Sequence, residues 1–343
     1  MLTFIATIFV FCLIIFIHEL GHFATAKFFG VIVHEFAIGM GPKIWGIHRN
    51  GTEYSVRALP LGGYVKLEGE DGASDDKNAF CNKSIFARFV VLASGAFMNF
   101  VLGFLIYIFL MSSATGFGSN VVGEVVDGSA FADSGIVAGD TIVKMENDMY
   151  SSNIYTFNDI SFFTYRNGTE PVDITFMRDG VEKCIVGVVP KYSETDGRHI
   201  YGFKAQVEPR TFGNVIKYAY HQSVFVVRVV LTSFGDLIRG RAGASDISGP
   251  VGIVGEIGNA AREGFATLLN LAALISINLG VVNLLPIPAL DGGRILFLIY
   301  ELVRRKPVPA DKEALVHAIG FMMLIAFMLV VTFFDVSKIF NKL

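Results

Sequence analysis

The chain has 343 residues, of which 52% are hydrophobic and only 17% charged, and its formal net charge is -3. That balance suits an integral membrane protein better than a soluble enzyme, and without a basic excess or a long basic stripe it argues against a nucleic-acid partner. Three cysteines, Cys12, Cys81 and Cys184, form neither a CxxC metal site nor a disulfide framework.

In chain order, four stretches are long and apolar enough to cross a bilayer: about 2–28, 88–112, 265–290 and 314–335. The first lacks a positively charged start and carries polar chemistry, so it is expected to be a retained span rather than a cleaved signal. Within it lies FIHELGHF, residues 16–23. Ionisable groups at membrane depth are costly and by default mark function. His18 and His22, four residues apart, share one face of a helix, so both imidazoles can meet one zinc ion at about 2.0–2.1 Å. Glu19 is offset around the helix and can take the proton of a water attacking a peptide carbonyl, rather than bind the metal. The alternative, two packed core histidines, leaves the burial cost of the set unmatched.

Between the first two spans, EYSVRALPLGGYVKLEG (53–69) alternates apolar and polar residues on each side of Pro-Leu-Gly-Gly, which predicts a β-hairpin. Past the second span, residues 119–190 read as a compact α/β module. VVGEVV, TIVKMEN, VDITFMR and EKCIVGVVP are its expected strands, and FNDISFFTYR is a helix starting near Asn158. Here SGIVAGDTIVKMEN resembles a PDZ domain, in which a Gly-Asp turn leads into an apolar strand; such a domain takes an extended chain end onto a sheet edge. A structural spacer is the other reading of the module.

The stretch 212–240 is apolar but holds His221 and Arg228 in its middle, with Lys217, Tyr218 and Tyr220 beside them, so it is expected to lie at an interface or pack on the protein rather than to span. Lys27, Lys43, Arg49, Arg57, Lys66, Lys83 and Arg88 sit between the first two spans, and Arg294, Arg304, Arg305, Lys306 and Lys312 between the last two. The positive-inside rule makes both loops cytoplasmic and leaves the 119–190 module and both termini outside, with Lys338 and Lys342 counting mildly the other way.

A catalytic zinc commonly has three protein ligands and one open position. The candidate third ligand is Asp291, at the end of the third span in NLGVVNLLPIPALDGGRILF, where Pro286 and Pro288 break the helix. With four spans, the third runs inward and brings Asp291 to the depth of His18 and His22; a crossing at 212–240 would put it on the wrong side. His34, Glu35, His48, His199, His221 and His317 have no comparable spacing and are expected to be solvated or packed.

HELGH, NLLPIPALDGG and the intervening PDZ-like module together resemble the site-2 proteases of the bacterial RseP (regulator of sigma-E protease) type, a peptidase M50-like family of intramembrane zinc metalloproteases. Asn283, Pro286, Pro288, Asp291 and Gly292 meet the family pattern Asn-x-x-Pro-x-Pro-x-x-Asp-Gly. AIGMGPKIW, ALPLGGYVKLEGED and SGPVGI also look like family stretches, and the resemblance covers nearly the whole chain, with one module where some members carry two in tandem. It implies that His18, His22 and Asp291 bind Zn2+, that Glu19 is the base, and that Asn283 places or polarises the scissile peptide. It also implies that EYSVRALPLGGYVKL forms a re-entrant sheet holding substrate as an added strand, which supplies hydrogen-bond partners to an unwound transmembrane helix.

The expected fold is therefore a polytopic α-helical membrane protein with four transmembrane helices, a re-entrant β-hairpin on the cytoplasmic side and an inserted α/β PDZ domain in the periplasm. The expected divisions are 1–112, the HExxH half; 119–190, the PDZ domain; 191–261, a linker with helix 212–240; and 262–343, the NxxPxPxxDG half. The expected activity is regulated intramembrane proteolysis in a bacterial inner membrane, on single-span proteins such as anti-sigma factors or remnant signal peptides. A catalytically inactive scaffold that binds protein tails is the competing reading; a transporter finds no support because no inverted repeat is visible.

Overall fold

The computed structural model describes residues 1–70, 72–195, 197–243 and 247–340; Asp71 of the family-like stretch and Lys342 of the tail lie outside them. Four of the described helices are long and apolar enough to cross a membrane: α1 (Leu2–Phe28), α2 (Ile85–Ser112), α7 (Phe265–Leu284) and α9 (Ala310–Phe340, apolar to Lys338). Helix α5 (Phe212–Ile238) is not among them. The third span stops at Leu284 rather than near 290, because Leu285 precedes a proline and turns extended at φ -65°, ψ 146°.

The chain divides into two compact units, Met1–Leu110 with Val226–Leu343, and Met111–Phe225. In the first, helices meet over small residues. A Cβ on Gly21 of α1 would lie 2.4 Å from the Ser94 carbonyl oxygen of α2, and one on Gly103 would lie 2.5 Å from Ile277 of α7. With no hydrophobic drive between helices in lipid, this close approach and its van der Waals contact are what hold spans together. Hydrogen bonds add to it: Thr25 Oγ1 lies 2.9 Å from Ser94 Oγ, and Ser276 Oγ donates to the Asn99 carbonyl at 2.9 Å. Helix α6 (Pro250–Glu263) begins with its Gly252 amide donating to Asp335 of α9 at 2.8 Å, a carboxylate placed where a helix N-terminus favours negative charge.

Two long strands, β1 (Val33–Arg49) and β2 (Thr52–Leu67), follow α1 and join through Asn50 and Gly51, both at positive φ, as a tight hairpin turn requires. Arg49 pairs with Thr52 through to Lys43 with Arg57. The expected hairpin around Pro-Leu-Gly-Gly is not formed as such. Residues 33–38 sit between its two arms, pairing Glu35–Ile38 with Glu53–Val56 on one side and Val33–Ile38 with Gly63–Leu67 on the other. Glu35 is packed, not solvated. It accepts hydrogen bonds from Ser55 (2.5 Å) and Arg57 (2.7 Å) in one arm and from Tyr64 (2.6 Å) in the other. Burial alone would raise the Glu35 carboxyl; the Ser55, Tyr64 and Arg57 donors outweigh it and hold the group below the ordinary carboxylate range. Burial and the neighbouring Glu35 push the Tyr64 hydroxyl up to about 12.

The second unit is a sheet in the order β10-β3-β4-β6-β7, with β5 paired to β4. Its strands are β3 (Gly116–Val125), β4 (Thr141–Glu146), β5 (Ser151–Asn153), β6 (Val172–Arg178), β7 (Val181–Val188) and β10 (Phe203–Pro209), with the small pair β8 (Lys191–Ser193) and β9 (Arg198–Ile200) before the last. Phe131, Ile142, Met145, Ile160, Phe163, Ile174 and Phe176 close a core between the sheet and helices α3 (Ala130–Ser134) and α4 (Phe157–Asn167). Thr156 and Asp159 start α4 with a reciprocal capping box. At the Gly-Asp turn, Asp140 accepts from the Val137 amide (2.9 Å) and from Arg178 (2.7 Å). The sequence pattern ends this module at 190, whereas β10, which starts only at Phe203, pairs with β3 as an outer strand. Only long-range pairing, invisible in local alternation, assigns it there.

Candidate active site

Helix α1 presents His18 and His22 on the face that meets α2. That face closes because Gly95 has no side chain: a Cβ there would lie 2.3 Å from His22 Nε2 and 2.7 Å from His18 Cε1. His22 Nδ1 donates to the Val91 carbonyl at 2.8 Å, so its Nε2 carries the lone pair. His18 Nδ1 lies 3.2 Å from the side-chain amide of fully buried Asn99, whose Oδ1 has no hydrogen-bond partner. An amide turned to aim that oxygen at Nδ1–H gives it a donor and leaves His18 Nε2, too, with its lone pair exposed to the site.

Asp291 arrives from the far end of the chain as the first residue of α8 (Asp291–Arg304), where a carboxylate favours the helix dipole. The turn before it is compact. Ile287 N donates to Leu285 O at 2.7 Å and Leu290 N to Ile287 O at 3.2 Å. The DGG pair has a steric reason: a Cβ on Gly292 would lie 2.1 Å from the Leu285 carbonyl oxygen, and one on Gly293 2.5 Å from that of Ile287.

The three ligand atoms form a near-equilateral triangle. His18 Nε2 to His22 Nε2 is 3.2 Å, His18 Nε2 to Asp291 Oδ2 is 3.3 Å, and His22 Nε2 to Asp291 Oδ2 is 3.4 Å. A tetrahedral ion with bonds of about 2.0–2.1 Å holds its ligand atoms about 3.3 Å apart. Asp291 Oδ2 is buried without a hydrogen-bond donor of its own, as a metal ligand would be. The donor set and its spacing thus fit zinc. Asn283, near the end of α7, puts its amide 3.4 Å from His18 Nε2. Glu19 faces the sheet: a Cβ on Gly63 would lie 3.2 Å from its Cγ. Gly63–Leu67 is the arm paired on one side only among the described residues, so a sheet edge runs past the glutamate.

The chain matches peptidase family M50 over residues 6–327. It belongs to that family. Among its relatives, a protein named as a zinc metalloprotease of Clostridium acetobutylicum is 40% identical over 97% of this chain and 96% of its own length. One of Fusobacterium nucleatum is 35% identical over 99% and 100%. The regulator of sigma-W protease RasP of Bacillus subtilis is 30% identical over 98% and 99%. The M50 protein is accordingly a zinc metalloprotease of the site-2 type with the four apolar helices of a multi-pass membrane protein.

His18, His22 and Asp291 meet in one cluster, with Asn283 beside His18. Sequence reasoning missed Gly95 and Asn99, whose contacts cross from α2 to α1. Four residues apart on one helix, their shared face was the available signal, but it carried no ionisable group to draw attention. Three of the other histidines lie elsewhere: His34 bonds Glu68 at 2.6 Å, His199 meets Tyr192, and His221 stacks on Tyr155.

Proposed function

We propose that this protease hydrolyses peptide bonds within transmembrane segments of single-span membrane proteins, near the cytoplasmic side of a bacterial inner membrane. His18, His22 and Asp291 hold the zinc. The observation that carries the reading is their 3.2–3.4 Å triangle of ligand atoms, two of them on the apolar span α1 and the third at the start of α8. When bound, zinc supplies polarisation of the scissile carbonyl and a lowered pKa for the attacking water. Glu19 takes that water's proton and passes it to the leaving amine. Asn283 places or polarises the scissile peptide. The edge of Gly63–Leu67 receives the unwound substrate as an added strand, matching backbone groups that lipid cannot satisfy. The loop charges support the orientation by the positive-inside rule. The likeness to a protein named regulator of sigma-W protease supports an anti-sigma factor as substrate, with remnant signal peptides as a second class.

The 119–190 module, within the Met111–Phe225 unit, acts as an extracytoplasmic PDZ domain that selects substrates. Its Gly-Asp turn and the 410 Å³ cavity bounded by Phe157, Ile160, Thr164, Arg198 and Gly202 support this assignment.

The test is Glu19→Gln in the purified chain reconstituted with a single-span substrate. Zinc content should match that of the unchanged chain while cleavage falls by about 10²–10⁴. Near-normal turnover would remove Glu19 from the mechanism, and a chain without tightly bound zinc would remove the metal site.

A further inference from the structure

His317, expected to be solvated or packed, is packed: it sits on α9 against the turn that delivers Asp291. Its Nδ1 accepts the backbone N–H of Ala289 at 2.8 Å. Ala289 is two residues before Asp291 and stands at φ +75°, a left-handed conformation that a side chain disfavours and that persists only where surrounding contacts impose it. One turn further along α9, Gly320 lets the helix backbone touch the same turn: a Cβ there would lie 2.3 Å from Pro288 Cβ and 2.8 Å from the Pro288 carbonyl oxygen. His317 and Gly320 are three residues apart, so they share the face that grips Pro288 and Ala289. The imidazole is itself held. Phe297 of α8 lies against it, ring centroids 5.6 Å apart, and Glu313 Oε1 stands 3.9 Å from Nε2, the side on which the ring proton belongs when Nδ1 is an acceptor.

We propose that His317 is a positioning residue for the metal centre: its Nδ1 fixes the left-handed Ala289 and thereby sets Asp291 against His18 and His22. The proposal rests on the reading of Asp291 as a zinc ligand. The turn's own hydrogen bonds run Ile287 to Leu285 and Leu290 to Ile287, and neither uses the Ala289 N–H. The donor is therefore available only to a group outside the turn, and α9 supplies it. Like an outer partner that orients a liganding imidazole, the histidine acts at one remove, here through backbone. The fourth span thus contributes to the site while contributing no ligand.

Asparagine and glutamine separate this role from simple packing. The Asn side-chain oxygen is as far from Cβ as Nδ1, and the Gln oxygen as far as Nε2. Zinc affinity of the full-length chain in lipid nanodiscs is measured by chelator competition, with the visible spectrum of the cobalt-loaded protein as a second readout of ligand geometry. His317→Asn is expected to keep the affinity and spectrum of the unchanged chain, whereas His317→Gln loses about tenfold in affinity and changes the spectrum. Equal affinities in both variants, or equal losses in both, would overturn the proposal. Asp291→Ala is the reference. If it loses zinc while His317→Gln binds normally, the ligand reading stands and the His317 inference falls. If Asp291→Ala keeps zinc, the ligand reading itself fails and takes the inference with it.

Discussion

At the scale of single residues, the site depends as much on what is absent as on what is present. Two imidazoles can stand side by side against α2 only because Gly95 offers backbone there. In Gly95→Ala the added methyl would lie 2.3 Å from His22 Nε2, so one or both rings must rotate away. Zinc affinity should fall about 10–100-fold, the range seen when ligand orientation is disturbed. The helix should remain, since Ala favours helix over Gly. Chelator competition together with circular dichroism checks both halves. A Gly95→Ala chain that binds zinc as tightly as the original would mean that the rings do not need this contact. His18, His22 and Asp291 were legible in the sequence because acidic and basic groups stand out against apolar spans and because an i, i+4 pair declares its own geometry. Gly95, Asn99 and His317 were not, since each acquires its meaning from a partner on another helix; for Asn99 and His18 the separation is 81 residues.

At the scale of elements, one carboxylate of the β1–β2 sheet ties together three of its arms. Glu35 draws in Ser55 and Arg57 from one neighbouring arm and Tyr64 from the other, which is why residues 33–38 can lie between arms that the local pattern would pair directly. Alternation foretold strands here but not their order, because period-2 patterning specifies faces and says nothing of neighbours. The pKa of Glu35 is lowered on folding. A lowered carboxylate contributes stability that is present above its unfolded value of about 4.3 and is lost as pH falls through the folded value. The chain's single tryptophan, Trp45, lies in this sheet, paired with Val56, and reports on it. Acidification below about pH 4 should therefore shift Trp45 emission. In Glu35→Gln that acid transition should vanish, with the sheet already weakened at neutral pH as the Arg57 donor loses its charged acceptor. An unchanged acid transition in the Gln variant would assign it to another group.

At the scale of the whole molecule, the two compact units divide chemistry from the remainder. His18, His22, Glu19, Asn283 and Asp291 all belong to Met1–Leu110 with Val226–Leu343, while Met111–Phe225 holds its own apolar core, its own helix caps and the pair of buried Asp140 with half-buried Arg178. An inserted unit with a self-sufficient core can be removed at a modest loop-closure cost, which grows only slowly with length. Replacing residues 116–209 by a flexible Gly-Ser linker should leave zinc content and hydrolysis of a short unstructured peptide near those of the full chain. What should change is discrimination. If the inserted unit selects substrates, a single-span protein with an intact bulky outer domain, resistant to the full chain, becomes cleavable by the shortened one. The comparison to make is the ratio of cleavage rates for intact and pre-trimmed substrate in the same lipid, which should approach one. A gate and a peptide-binding groove both predict that loss of preference; only the groove predicts that Arg198→Glu, at the mouth of the 410 Å³ cavity, lowers the rate on trimmed substrate without admitting the intact one. A shortened chain that folds and holds zinc yet cleaves neither substrate nor peptide would show that the insertion supports catalysis itself, and selection would be the wrong role.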